Sequence, residues 1–182
     1  MFATTLTTER LVLRPPCVED AGAIFERYAS DSVVTRYLSW RTHQSVEETR
    51  AFLNQITNPP IDNHDRQWVI GFEGDSLPCG MITVFGSGQL VGLGYVLQRS
   101  LWGRGVMPEA LRAVAAEVWR DERTWRLQAL AHVDNVGSQR VMEKCGLRRE
   151  GVLRRQLVMP QISDEPQDCA LYAQVRDDFN AR

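Results

Sequence analysis

Hydrophobic and polar positions change period several times along the chain, and those changes lay out its elements. "RLVLRP" is a short β run that Pro15-Pro16 stops. "EDAGAIFERYAS" carries apolar residues at helical spacing, with Glu19 and Asp20 placed to favour a helix start. "SVEETRAFLNQI" is a second helix, in which Ser45 followed three residues later by Glu48 is a capping-box signature. The polar, proline-bearing "TNPPIDNHDR" is a loop. Three β runs come next, "QWVIGFEG", "CGMITVFG" and "LVGLGYVL"; the gaps "DSLP" and "SGQ" are short enough for hairpins of an antiparallel meander. A glycine-bearing turn then opens a helix that runs to about Arg120. "WRLQALAHV" is a strand, "NVGSQRVMEKCG" a helix closed by Gly146, and "LRRQLVMP" and "CALYAQVR" are two further strands. The predicted order is β-α-α-β-β-β-α-β-α-β-β. This is one domain over residues 1–182 of the α/β (α+β) class, with helices flanking a mixed, mostly antiparallel sheet rather than a regularly alternating one.

Composition narrows the function. With 43% hydrophobic residues in 182, the chain can bury a sizeable single core. Its 21 basic and 23 acidic residues nearly balance, which gives no general affinity for nucleic acid or anionic membrane. No apolar run approaches the ~20 residues a membrane span needs. "MFATTLTTERLVLR" lacks the basic-then-apolar order of a secretory signal. Cys17, Cys79, Cys145 and Cys169 are scattered and do not cluster with His43, His64 or His132, so reduced thiols in a cytoplasmic protein and no metal are expected.

The stretch "LWGRGVMPEALRAV" holds the candidate chemistry. A helix start has amides without partners and partial positive charge, so it suits an anion. Gly103 and Gly105 remove side chains from the backbone's path, Arg104 adds a charge, and Pro108 gives up its own N–H in the first turn. The holding amides would lie between Trp102 and Met107. The same glycines also serve a plain strand-to-helix turn, and the stretch alone does not choose. Nucleotide motifs fit poorly: no Lys-Ser/Thr follows as a P-loop requires, and "GLGYVL" has leucine where a dinucleotide fingerprint wants its third glycine.

"LGYVLQRSLWGRGVMPEALRAV", followed some twenty residues later by "NVGSQRVMEKCGLRREG", resembles the GNAT superfamily of N-acetyltransferases. With "TERLVLRPPCVEDA" and "LYAQVRDDF", the chain is most similar to the RimJ/RimL branch, which acetylates ribosomal-protein N-termini. The resemblance implies acetyl-CoA as donor and a primary amine as acceptor. It implies a pantetheine arm along Tyr95, Val96 and Leu97, with Tyr95 also near the acceptor. The pyrophosphate would lie on Trp102, Gly103, Arg104, Gly105, Val106 and Met107, and Asn135 and Ser138 would stand beside the cofactor. Relatives are often dimers, which leaves a homodimer open.

The chain departs from the superfamily pattern where many members carry a tyrosine that protonates the leaving thiolate. Met142 occupies that position, and Ser138, one turn earlier on the same helix, is the substitute donor; it also reads as a first-turn residue behind an Asn135 N-cap. Met107 stands where a small residue is commonest and Leu147 where phenylalanine is usual. Arg140 and Lys144 lie four apart and either reach coenzyme A phosphates or form a solvated basic edge. Trp40, Arg41 and His43 sit in the loop that would flank the acceptor cleft, where they contact substrate or are ordinary loop residues. Cys145 has no histidine near in sequence to activate it, which disfavours a covalent route.

A general base is not evident. The strand "LVGLGYVL" has no carboxylate, Glu109 reads as a first-turn helix residue, and His132 is the one candidate that titrates near neutrality. An α-amine of pKa ~8 is about a tenth neutral at pH 7, whereas a lysine amine of ~10.4 is neutral about once in 2,500. That difference favours a peptide N-terminus over a lysine side chain, with small-molecule amines also open. The alternative from another class is a coenzyme A-binding regulatory module that has lost its chemistry.

Overall fold

The computed structural model describes residues 3–60 and 64–180. Part of the loop expected at "TNPPIDNHDR", residues 61–63, lies outside the described residues. Eight strands form one sheet: β1 (Leu6–Thr7), β2 (Leu11–Arg14), β3 (Arg66–Phe72), β4 (Asp75–Phe85), β5 (Leu90–Leu97), β6 (Arg126–His132), β7 (Arg148–Met159) and β8 (Ser163–Val175). Their order across the sheet is β1-β2-β3-β4-β5-β6-β8-β7. Every neighbouring pair is antiparallel except β5–β6, which run parallel across the connection through the long helix.

Helices cover both faces. α1 (Ala21–Ile24) is preceded by a 3₁₀ turn at Val18–Asp20 and runs on into π-helical turns at Phe25–Ala29; α2 (Ser32–Thr35) and α3 (Val46–Thr57) follow. With Val69 and Met81 of the sheet they enclose a core of Ile24, Tyr28 and Leu53. The other face carries α4 (Val106–Trp119) and α5 (Val136–Lys144), packed through Val106, Leu111, Val114 and Met142 onto Leu13, Ile82, Val91 and Leu127. A short α6 (Arg176–Asn180) closes the described chain, Phe179 stacking on Trp119 at 5.5 Å. Burying one sheet face under each group of helices gives the two apolar layers the α+β pattern demands.

The structure adds β1, α2 and α6 to the expected order and corrects two further expectations. "DSLP" is not a turn: Asp75 already pairs with Phe72, and the hairpin turns at Glu73–Gly74, where Gly74 has φ +82°. Pro78 is tolerated inside β4 because the β3–β4 register shifts between Ile70 and Phe72, beside it. The last two strands are far longer than expected and form one hairpin, with Met159 pairing Ser163. Its outer strand, β7, is an open sheet edge made of "RREGVLRRQLVM", with Arg155 at φ 51° in a register irregularity. Charge and bulge are the usual protection of such an edge.

β5 and β6 stay paired only from Leu90↔Arg126 to Leu93↔Ala129. Beyond that point β5 continues against β4 as far as Leu97, while β6 continues against β8 as far as His132. The sheet therefore opens into a V whose inner walls are the ends of two central strands.

Candidate active site

The V holds a cleft of about 410 Å³. Tyr95, Val96 and Leu97 form one wall, Asn135, Ser138, Arg140 and Lys144 of the α5 region the other, and the loop from Trp102 to Met107 its end. Tyr95 and Leu97 pack toward the α4–α5 side, and Val96 toward the α1–α3 side. Gln98 N donates to Cys79 O at 2.8 Å. Strand alternation then turns the backbone groups of Val96 toward β4, and those of Tyr95 and Leu97 toward the side β6 has left. A Cβ on Gly80 would lie 2.6 Å from Val96 O, so only glycine lets β4 and β5 close there. The Leu97 carbonyl takes the Trp102 indole N–H at 2.8 Å, tying the strand end to the loop.

The loop is shaped for an anion. Gly105 is the N-cap of α4 with φ 76° and ψ 0°, and Gly103 has φ 76° as well. Trp102 N donates to Arg99 O and Arg104 N to Leu101 O, while Glu109 N bonds back to Gly105 O. The Val106 and Met107 amides, at the start of the helix, have no carbonyl within it to bond, and Pro108 has no N–H. A Cβ on Gly103 would meet nothing within 4 Å, which marks its open side. Pyrophosphate oxygens fit these amides and the positive end of the helix. Met107 is 3% exposed and packs in the core, so its side chain does not crowd the loop.

Asn135 caps α5: its Oδ1 accepts from Ser138 N at 3.1 Å. Ser138 Oγ lies 2.8 Å from the Tyr95 phenol oxygen, which also donates to Ser138 O at 3.0 Å. Burial pushes the Tyr95 phenol well above its ordinary value, with the Ser138 hydrogen bond working the other way. Arg140 and Lys144 are exposed on the cleft wall, and the Lys144 carbonyl receives Arg112 of α4 at 3.0 Å.

Not every expected residue joins them. Arg104 is exposed and outside the cleft lining, its carbonyl 3.5 Å from Arg10 Nη1. Trp40 packs against the α1–α3 core with its ring 5.0 Å from His43. Arg41 pairs with Asp164 at 2.9 Å, and beside it Gln161 donates to Thr42 at 2.6 Å, so the β7–β8 hairpin is tied to the loop after α2. His132 is 7% exposed and stacks on Tyr37 at 5.0 Å; its Nδ1 accepts from Asp134 N at 3.1 Å. His132 is absent from the cleft lining. Glu109 is absent from the lining and receives Thr8 and Arg10 instead.

Sequence reasoning missed Val34, Tyr37 and Leu38, which line the cleft from α2 and the turn after it. The signal was present: Asp31 is an N-cap accepting from Val33 N at 2.9 Å, and these apolar residues follow at helical spacing.

YnaD, an uncharacterized N-acetyltransferase of Bacillus subtilis (strain 168), is 30% identical over 152 residues, 82% of this chain and 86% of its own. A GNAT-family acetyltransferase from Bacillus anthracis has a structure matching with a TM-score of 0.81 at 26% identity, covering 95% of this chain and 99% of that one. RimL, a ribosomal L7/L12 α-N-protein acetyltransferase solved with coenzyme A, matches with a TM-score of 0.80 at 20% identity over 96% and 99% of the two chains, a likeness of fold. Residues 10–148 match the Acetyltransferase (GNAT) domain, and with that span and these relatives the chain belongs to the GNAT family of acetyltransferases.

Proposed function

We propose that the protein moves the acetyl group of acetyl-CoA directly to a neutral primary amine, with a peptide N-terminal α-amine as the acceptor class. One observation carries the acceptor class: among the described residues, no carboxylate and no imidazole lines the cleft. A site without a base works on amines that shed their proton unaided, and an α-amine near pKa ~8 does so far more often than a lysine at ~10.4. Val34, Tyr37 and Leu38 give the acceptor end apolar and aromatic walls that exclude water from the neutral nitrogen.

Acetyl-CoA, when bound, supplies the thioester that is the acyl donor. The amides of Val106 and Met107 and the start of α4 hold its pyrophosphate, and Arg140 and Lys144 supply positive charge on the same wall. The amides of Tyr95 and Leu97, facing the open side of β5, are donors for the polarised carbonyl oxygen and the pantetheine arm. Ser138 offers its hydroxyl to the sulfur.

The test is thiol release from acetyl-CoA in the presence of peptides with free N-termini, lysine-bearing peptides with blocked N-termini, and small amines, with mass spectrometry of each product. Acetylation at α-amines is the expected result. Turnover confined to lysine side chains or small amines overturns the acceptor class, and tight acetyl-CoA binding without turnover on any amine overturns the transferase reading in favour of a binding module.

A further inference from the structure

The Tyr95 phenol has one hydrogen and two acceptors on one residue, the Ser138 carbonyl at 3.0 Å and Ser138 Oγ at 2.8 Å. Two arrangements follow without moving any heavy atom. With the phenol hydrogen on the carbonyl, the serine hydrogen points back to the phenol oxygen and is used up. With the phenol hydrogen on Oγ, the serine hydrogen is released toward the cleft. The second arrangement makes serine a stronger donor, because an oxygen that accepts a hydrogen bond donates its own more strongly. Negative charge in the cleft selects that arrangement; a neutral ligand does not.

The geometry points to Tyr95 as the positioning residue for the leaving sulfur: it aims the Ser138 hydroxyl at the thiolate when charge develops there. This rests on the coenzyme A reading of the cleft given above. In the transfer, the N–C bond forms and the C–S bond breaks. Sulfur leaves with the electron pair, and the proton shed by nitrogen returns to sulfur through solvent. Neither hydroxyl gives up its proton; each only turns it. Placement suits the task, since Tyr95 stands on the β5 wall and Ser138 on the α5 wall, so their hydrogen bond spans the V. The Ser138 backbone is fixed by the Asn135 cap. Of the titratable groups around the pair, Cys145 and Tyr172 interact with the phenol from the end of α5 and from β8, Tyr172 itself donating to Glu143 at 2.9 Å. Arg140 and Lys144 stand on the cleft wall, and His132 is held by the Asp134 amide.

The product thiol gives a test that needs no acceptor. Calorimetry compares the affinity of coenzyme A with that of desulfo-coenzyme A at pH 7 and pH 9.5, either side of an ordinary thiol pKa of ~8.5. Desulfo-coenzyme A shares every phosphate titration and lacks only the sulfur. In the wild type, coenzyme A should gain about tenfold on desulfo-coenzyme A across that range, as a charge-assisted hydrogen bond warrants. Tyr95→Phe, which keeps the ring, should cut the gain to about threefold, and Ser138→Ala should abolish it. The double variant should match Ser138→Ala, because Tyr95 acts only through Ser138. A full gain in Tyr95→Phe, or a Tyr95 effect that persists when Ser138 is alanine, overturns the inference. Wild-type binding of both ligands with no gain overturns it too, leaving the coenzyme A reading intact; failure of both ligands to bind overturns that reading and the inference together.

Discussion

Arg10 and Glu109, from β-turn and helix 99 positions apart, are joined by Arg10 Nε donating to Glu109 Oε2 at 2.7 Å. The other carboxylate oxygen accepts the Arg10 amide at 3.1 Å and the Thr8 hydroxyl at 2.6 Å. The N-terminal strand turn is thereby fastened to the first turn of α4, and Arg10 Nη2 comes within 3.6 Å of where a Gly105 side chain would begin.

That fastening predicts a selective defect. Arg10→Ala should raise the KM for acetyl-CoA about tenfold, worth ~1.4 kcal/mol, by loosening the loop proposed to hold the pyrophosphate. Acetyl-pantetheine has no pyrophosphate, so its KM should stay within about twofold. Steady-state kinetics with both donors checks this; an equal rise for the two would make Arg10 a stability residue.

Gly105→Val places a β-branched side chain at φ 76°. The left-handed backbone costs ~1–2 kcal/mol for such a residue, so Tm should fall. Acetyl-CoA affinity should fall tenfold or more as well. Gly74→Val is the control, since Gly74 has φ +82° in the β3–β4 hairpin with nothing within 4 Å of its added Cβ. It should lose comparable stability and no affinity, as thermal melts and calorimetry would show.

With no carboxylate or imidazole among the described residues lining the cleft, kcat/KM should rise with pH until the acceptor's own pKa and then level. Two peptides whose α-amine pKa values differ by about one unit should give profiles displaced by the same amount. His132→Ala should keep that shape. A limb near pH 6.5 common to both peptides, and abolished in His132→Ala, would return the base role to His132.

Asp20 predicts acid sensitivity. Burial by itself would raise its carboxyl, but hydrogen bonds from Arg14 and the Cys17 amide outweigh burial and hold it below the ordinary carboxylate range. A carboxylate depressed on folding contributes stability that is complete above its unfolded pKa of ~3.9 and is lost as pH falls through the folded value. Glu109 is depressed too: burial opposes, and the Thr8 and Arg10 hydrogen bonds prevail. The urea midpoint should therefore hold from pH 7 to about 4 and decline below it, whereas Asp20→Asn should start lower at pH 7 and decline less steeply.

Local chemistry was readable and long-range geometry was not. The Asn135 cap, the Gly146 end and the Gly105 helix start are decided within one turn of chain, and the sequence showed all three. The Ser45 cap was half readable: Ser45 Oγ accepts from Glu48 N at 3.3 Å, but the Glu48 carboxylate reaches one residue further, to Gln44 N at 2.8 Å. "DSLP" misled because aspartate and proline resemble turn chemistry, while the bulge that admits Pro78 lies in β4 between Asp75↔Phe72 and Gly80↔Ile70 and is set by the pairing with β3. The Tyr95–Ser138 bond, 43 positions apart, depends on how far β5 outruns its pairing with β6, which no single segment encodes.

The parting of β5 and β6 also makes ligand supply a stability variable. Below Leu93 and Ala129 the sheet is continuous; above them its two halves have no ladder to bind them. A molecule lying in the V and touching both walls takes the place of the missing rungs, and it does so only in the folded chain. At a ligand concentration about a hundredfold above Kd, mass action adds ~2.7 kcal/mol to the unfolding free energy. The ligand-free chain is then the form most open to proteases and to heat, and under the proposed function the donor that the reaction consumes also braces the fold.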